Sequence, residues 1–177
     1  MKKILPPFNL NQWIKENRDL LKPPVGNKNL YVEAGDFIVM IVGGPNARKD
    51  YHYNESEELF YQIEGDITVR IQEDGKPKDI IIREGEMFLL PAKIPHSPMR
   101  GPNTVGLVIE LVRKGRNLKD GLMWFCDSCN HSLKTYKFKL DNIEKDFISR
   151  FKDYYKSEKM RTCDKCGDVM RVDERFA

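Results

Sequence analysis

The chain has 177 residues, 40% of them hydrophobic and 32% charged, with a formal net charge of +3. This is enough for one sizeable core plus a small appendage, and it excludes a disordered or membrane-embedded chain. Lysines and glutamates are interspersed, with no basic run interleaved with aromatics, so no nucleic-acid groove is expected.

The first ten residues, MKKILPPFNL, hold only a two-residue apolar run, Ile4-Leu5, before Pro6 and Pro7. That is too short for a signal segment, and no stretch nears the ~20 apolar residues of a membrane span. A cytoplasmic location and no membrane partner are therefore expected. Residues 9–21 read as a helix capped by Asn9 with Gln12 three residues on. Trp13, Asn17 and Leu20 share a stripe, Ile14 and Leu21 lie beside it, and Pro23-Pro24 end the helix. The following PPVGNKN reads as a turn-rich connector that could lie over a pocket.

From Leu30 the pattern changes to strands. LYVEA, DFIVMIV, ELFYQI, DITVRIQ, KDIIIR, EMFLL and TVGLVIELV are short and rich in β-branched and aromatic residues, with turn signals such as Asp74-Gly75 and Glu84-Gly85 between them. They stand too close together for crossover helices. The fold is thus expected to be mainly β and antiparallel, a sandwich or barrel with a few helices.

After Arg113 the composition shifts, which divides the chain into a barrel (1–113) and a C-terminal extension (114–177). GRNLKDG reads as a linker and WFCDSCNHSLKTYKFKL as a ribbon. A helix starts at Asp141 with Glu144 at the capping-box position, and Ile143, Phe147, Phe151 and Tyr154 or Tyr155 form its apolar stripe. All four cysteines fall into two CxxC pairs, Cys126/Cys129 and Cys163/Cys166. Two such pairs make a tetrahedral thiolate cage, which suits Zn(II) and iron alike. His131 lies close by, but four sulfurs already fill such a cage, so it reads as a surface residue.

His52, Glu58 and His96 supply two histidines and one carboxylate from separate strands, the ligand set of a non-haem Fe(II) centre with open positions. Alternation puts His52 with Asn54, and Glu58 with Phe60 and Gln62, on one side of their strands. Glu57 faces the other way. His96 is expected to end a strand that follows Gly85 and Pro91.

At these positions the sequence resembles the cupin superfamily, a double-stranded β-helix or jelly-roll barrel. His52, Asn54, Glu58 and Gly65 follow the spacing of its first motif, and Gly85, Pro91, His96 and Arg100 that of its second. Asn54 stands where that motif has a second histidine, and Arg100 where it has an asparagine. The finer resemblance is to the bacterial-type 3-hydroxyanthranilate 3,4-dioxygenase family. It is carried by LLKPPVGN, VGGPN-x-R-x-DYH, EE-x-FYQ, FLLP, HSP-x-R, LVIE and both CxxC pairs.

That resemblance implies Fe(II) held by His52, Glu58 and His96, with O2 as co-substrate, and ring opening of a small aromatic substrate, 3-hydroxyanthranilate. The product is 2-amino-3-carboxymuconate semialdehyde, which closes to quinolinate on the route to NAD. It implies that Arg48 and Arg100 bind the substrate carboxylate and that Glu110 is an acidic substrate contact able to take a proton. Asn27 and Asp50 become lid or supporting residues. The cysteine cage would be a rubredoxin-like iron site and the assembly a homodimer. The rival readings are a cupin oxygenase for another aminophenol or catechol and a non-catalytic metal-dependent sensor.

Overall fold

The computed structural model describes residues 4–23, 26–46, 48–140 and 143–176, without the side chains of 143–145. Among the described residues, eleven strands form two antiparallel sheets. One has the order β1-β2-β9-β4-β7, from Asn27–Asn29, Phe37–Gly43, Val105–Leu111, Glu58–Glu64 and Met87–Leu90. The other has the order β11-β10-β3-β8-β5-β6, from Ser132–Phe138, Asp120–Phe125, Tyr51–Asn54, His96–Arg100, Ile67–Glu73 and Lys76–Ile82. Alternation turns one face of each sheet inward. Met40, Phe60, Leu90 and Val108 of the first sheet meet Ile67, Val69, Ile71 and Ile82 of the second in the main core. Each such buried side chain contributes roughly 1.5–3 kcal/mol relative to exposure.

The expected helix over 9–21 is in fact two pieces, α1 (Leu10–Glu16) and a 3-10 turn (Arg18–Leu21). Asn9 caps α1 as expected, accepting from Gln12 N–H. Asn17 breaks it: both its backbone N–H and its side-chain amide donate to Trp13 O, so the side chain competes with helix continuation. Leu20 therefore points to solvent, while Ile14 and Leu21 pack on Ile41 and Val105. The turn lies so close to β2 that a Cβ on Gly43 would sit 2.2 Å from Leu21 O.

LYVEA is a turn, and the ladder partner of β2 lies earlier, within the expected connector. Asn29 Oδ1 accepts from Tyr31 N–H and bends the chain out of the sheet. His96 opens β8 rather than ending the strand before it. Pro98 obscured that strand in the sequence. The ladder from β3 to β8 contains only the His52–His96 pair, so no β3 partner requires the N–H that Pro98 lacks. The expected linker is shorter than read, because Asp120 and Gly121 belong to β10.

Although β10 and β11 come from the extension, β10 pairs with β3 as well as with β11. Behind them, α2 (Ile143–Lys156) lays Phe147, Phe151, Tyr154 and Tyr155 around Trp124, and α3 (Glu158–Arg161) leads to the second cysteine pair. The Asp141 and Glu144 capping box and the Ile143 side chain lie outside the described residues.

Candidate active site

The single residue pair that joins β3 to β8 sets two histidines directly opposite each other, His52 and His96, with ring centroids 5.2 Å apart. Glu58, first in β4, faces them from the other sheet. Its Oε2 lies 3.2 Å from His96 Nε2 and 4.0 Å from His52 Nδ1. All three residues are buried, and one ligand atom from each lies within 4.8 Å of the others. Glu57 is exposed, as alternation required.

Hydrogen bonds orient both rings. His96 Nδ1 meets Ile94 O at 3.0 Å, and His52 Nε2 meets Asp120 Oδ1 at 2.8 Å. Each oxygen accepts a ring N–H, so the other nitrogen of each ring is the one turned toward Glu58. In His96 that nitrogen pairs with Glu58, which holds the ring above its usual range against burial. Glu58 Oε2 is buried without a hydrogen-bond partner, and its contact with His96 is an ion pair only. Burial would raise the Glu58 carboxyl, but His96, His52 and Arg113 outweigh it and hold the group down at about 2. Burial pulls the His52 ring below its usual range. Two imidazole nitrogens and a carboxylate oxygen that converge within 4.8 Å form a donor set suited to a divalent cation, which would take the place of the proton on His96.

Arg100, last in β8, is buried as a cation. Its Nη1 donates to Gln62 Oε1 at 3.2 Å, its Nε has no partner, and among the described residues no carboxylate reaches it as an ion pair. Burial lowers its pKa to about 10, with only Glu58 opposing. Arg48 differs in being already held. It forks onto Asp50, with Nε 3.0 Å from Oδ1, and its guanidinium lies 5.7 Å from the Phe151 ring centroid. Asp50 is the carboxylate that holds Arg48 in place.

Glu110 stands opposite Glu58 in the β4–β9 register. Burial and the Glu58 charge raise its pKa to about 7, against the pull of Arg113. Asn54, where the cupin motif has its second histidine, donates to Glu110 Oε2 at 3.2 Å. Asn27, Arg48, Arg100, Glu110 and Phe147 line one cavity with the His52, Glu58 and His96 triad. The structure therefore brings together all the expected substrate-side residues except Asp50, which acts through Arg48.

A larger cleft of about 720 Å³ runs between the first cysteine pair and Arg70. Its cations are already engaged, Lys49 with Asp127 and Arg70 with Asp79, and it contains none of the convergent buried ligands. The smaller cavity is the one lined by the triad.

Residue-by-residue reading missed Arg113, Asp120, Gln62 and Phe147. Arg113 donates to Glu110 Oε2, Leu111 O and both oxygens of the fully buried Asp120. The Phe147 ring lies 5.3 Å from that of His52. Asp120 precedes a glycine and fell within the stretch read as a linker. Nothing local distinguishes it from the true turn at Asp74-Gly75.

The four cysteines converge in the extension. Cys126 and Cys166, and Cys129 and Cys163, have sulfurs 3.6 Å apart. A tetrahedral ion with bonds of ~2.3 Å would place them about 3.8 Å apart. The two pairs sit in matching turns: Cys126 N–H donates to His131 O and Cys163 N–H to Asp168 O, both at 2.8 Å. Asn130 and Gly167 take the left-handed backbone each turn needs, with φ of 57° and 78°. His131 stays outside the cage and pairs with Asp164.

A family description of 3-hydroxyanthranilic acid dioxygenase matches residues 2–155. A curated 3-hydroxyanthranilate 3,4-dioxygenase from Xanthomonas oryzae pv. oryzae is 51% identical over 174 residues, 98% of this chain and 97% of that protein. One from Bacillus thuringiensis is 46% identical over 171 residues, 96% and 94% of the two chains. Among solved structures, protein NMB1881 from Neisseria meningitidis matches with a TM-score of 0.48 and 23% identity, covering 60% of this chain and all of that one. A cupin-2 domain protein from Shewanella frigidimarina gives 0.46 and 18%, covering 56% and 92%.

Proposed function

The chain belongs to the 3-hydroxyanthranilic acid dioxygenase family, and on that premise we propose that it opens the ring of 3-hydroxyanthranilate at one Fe(II) held by His52, Glu58 and His96. The observation that carries the substrate assignment is Arg100. A cation buried without a counter-ion is expensive, and here it lines the same cavity as the triad. An aromatic carboxylate supplies the missing charge, and the planar guanidinium suits it.

Bound there, Fe(II) would supply Lewis acidity and a one-electron route to O2, which protein side chains lack. The chain's own groups do the rest. Arg100 and Arg48 bind the carboxylate, Arg48 kept in place by Asp50. Glu110, raised to about 7, takes the proton of the substrate hydroxyl, while Asn54 and Arg113 hold it. Phe60, Val108 and Phe147 line the cavity with apolar surface and exclude water from the ring. Both atoms of O2 enter the product, 2-amino-3-carboxymuconate semialdehyde, so no outside electrons are needed. It then closes to quinolinate, a precursor of NAD.

We assign the cysteine cage a structural ion, iron of the rubredoxin type or zinc, and keep the division at residue 113 as one of roles. In this division, 1–113 carries the ligands and the polar substrate contacts, and 114–177 braces them and adds Phe147 to the cavity wall. Among the described residues no helix is long and apolar enough to cross a membrane, and the free cysteines fit a cytoplasmic setting. The homodimer expected for the family would use the outer face of the five-stranded sheet, where Leu59, Tyr61, Met87, Leu107 and Ile109 leave an apolar hollow.

The deciding experiment is a substrate panel in the Fe(II)-loaded protein. Oxygen uptake should be fast with 3-hydroxyanthranilate, slower with 2-aminophenol and slower still with catechols. A catechol turned over best would favour an oxygenase for another substrate, and no uptake with any of them would favour a sensor.

A further inference from the structure

We propose that Asp120, gripped by Arg113, is the positioning residue that makes His52 bind the metal through Nδ1. The inference rests on the reading of His52, Glu58 and His96 as the ligands.

Asp120 opens β10, opposite Asn54 of β3, and is fully buried. Its Oδ1 lies 2.8 Å from His52 Nε2. Arg113 reaches Oδ2 through Nε at 3.1 Å and Oδ1 through Nη2 at 3.0 Å. A carboxylate so gripped can only accept, so the ring proton sits on Nε2 and the lone pair on Nδ1. Nδ1 is the nitrogen that faces Glu58. His96 is set the opposite way: its Nδ1 lies 3.0 Å from Ile94 O, which leaves Nε2 for the ion. One ligand is thus oriented by the backbone and the other by a side chain from the extension.

The plainer reading is a buried ion pair that ties β10 to the end of β9. That pair would stand without touching His52, yet Asp120 spends an oxygen on the ring. Partners of this kind typically change metal affinity about 10–100-fold when removed. Arg113 also donates to Glu110, so one guanidinium holds groups on the ligand and the acid–base sides of the cavity.

The test uses the whole protein with Zn(II) at the triad as a diamagnetic probe and 15N-labelled histidine. With only three histidines in the chain, each resonance can be assigned by substitution. Zn(II) should shift Nδ1 of His52 but Nε2 of His96, and leave His131 unchanged. Anaerobic competition with a chelator should show Asp120→Ala holding Fe(II) at the triad about 10–100-fold more weakly, with the metal content of the cysteine cage unaltered. Ligation of His52 through Nε2 overturns the proposal, as does wild-type Fe(II) affinity in folded Asp120→Ala. Where that variant does not fold, the 15N result alone decides. If Zn(II) moves neither His52 nor His96, the ligand assignment itself has failed.

Discussion

Replacing Arg100 with alanine should separate carboxylate binding from ring chemistry. The guanidinium is buried, has Gln62 as a partner and is met by no carboxylate among the described residues. In the complex it would gain a charge-assisted bond worth about 1.5–3 kcal/mol. Its loss should lower kcat/KM for 3-hydroxyanthranilate by roughly 10- to 150-fold at about 1.4 kcal/mol per factor of ten. For 2-aminophenol, which has no carboxylate, the fall should stay within a few-fold. The fold itself should suffer little, because removing an uncompensated buried cation offsets the cavity left behind. Arg100→Lys keeps the charge but loses the planar fork, and should lie between the two. Steady-state oxygen uptake on both substrates, with iron content measured in each variant, reads the effect. Equal losses on the two substrates would refute carboxylate recognition by Arg100.

Glu58→Ala should empty the triad of iron while Glu57→Ala leaves it loaded, since only Glu58 faces the histidines; iron analysis decides, and full occupancy in Glu58→Ala contradicts the ligand set. Replacing both Cys126 and Cys129 with serine should lower thermal stability and iron loading at the triad, because the cage anchors β10 and α2, which bring Asp120 and Phe147 to His52. Turnover per triad-bound iron should survive, and a folded, loaded but inactive variant would show that the cage takes part in catalysis. Met87→Glu together with Leu89→Glu, both exposed on the outer face of β7, should convert the proposed homodimer into monomers in sedimentation; a dimer that persists in the variant would place the interface elsewhere.

The triad was legible in the sequence because strand alternation and motif spacing are local. His52, Glu58 and His96 occupy fixed positions relative to glycines and a proline, so the sheets need only form for them to meet. The strands around them were harder to read. Pro98 hid β8, and Asn29 diverted LYVEA into a turn, since one side-chain bond there outweighs β propensity. Arg113 and Asp120 could not be found at all. Their meaning comes from β10 pairing with β3, a contact between residues far apart in the chain. Asn17 makes the same point for helices: Trp13, Leu20 and Leu21 suited the periodicity, but the amide ended the helix and rotated Leu20 outward.

The most direct test is a single turnover under 18O2. The protein would be loaded with one Fe(II) per triad, and 3-hydroxyanthranilate supplied in less than stoichiometric amount. The ring-opened product should carry both labelled oxygen atoms when trapped before exchange with water, with one O2 consumed and no peroxide released. Glu58→Ala treated identically should return the substrate unchanged. Oxygen consumed with release of peroxide, a product with a single labelled atom, or equal turnover by Glu58→Ala would contradict a dioxygenase centred on His52, Glu58 and His96.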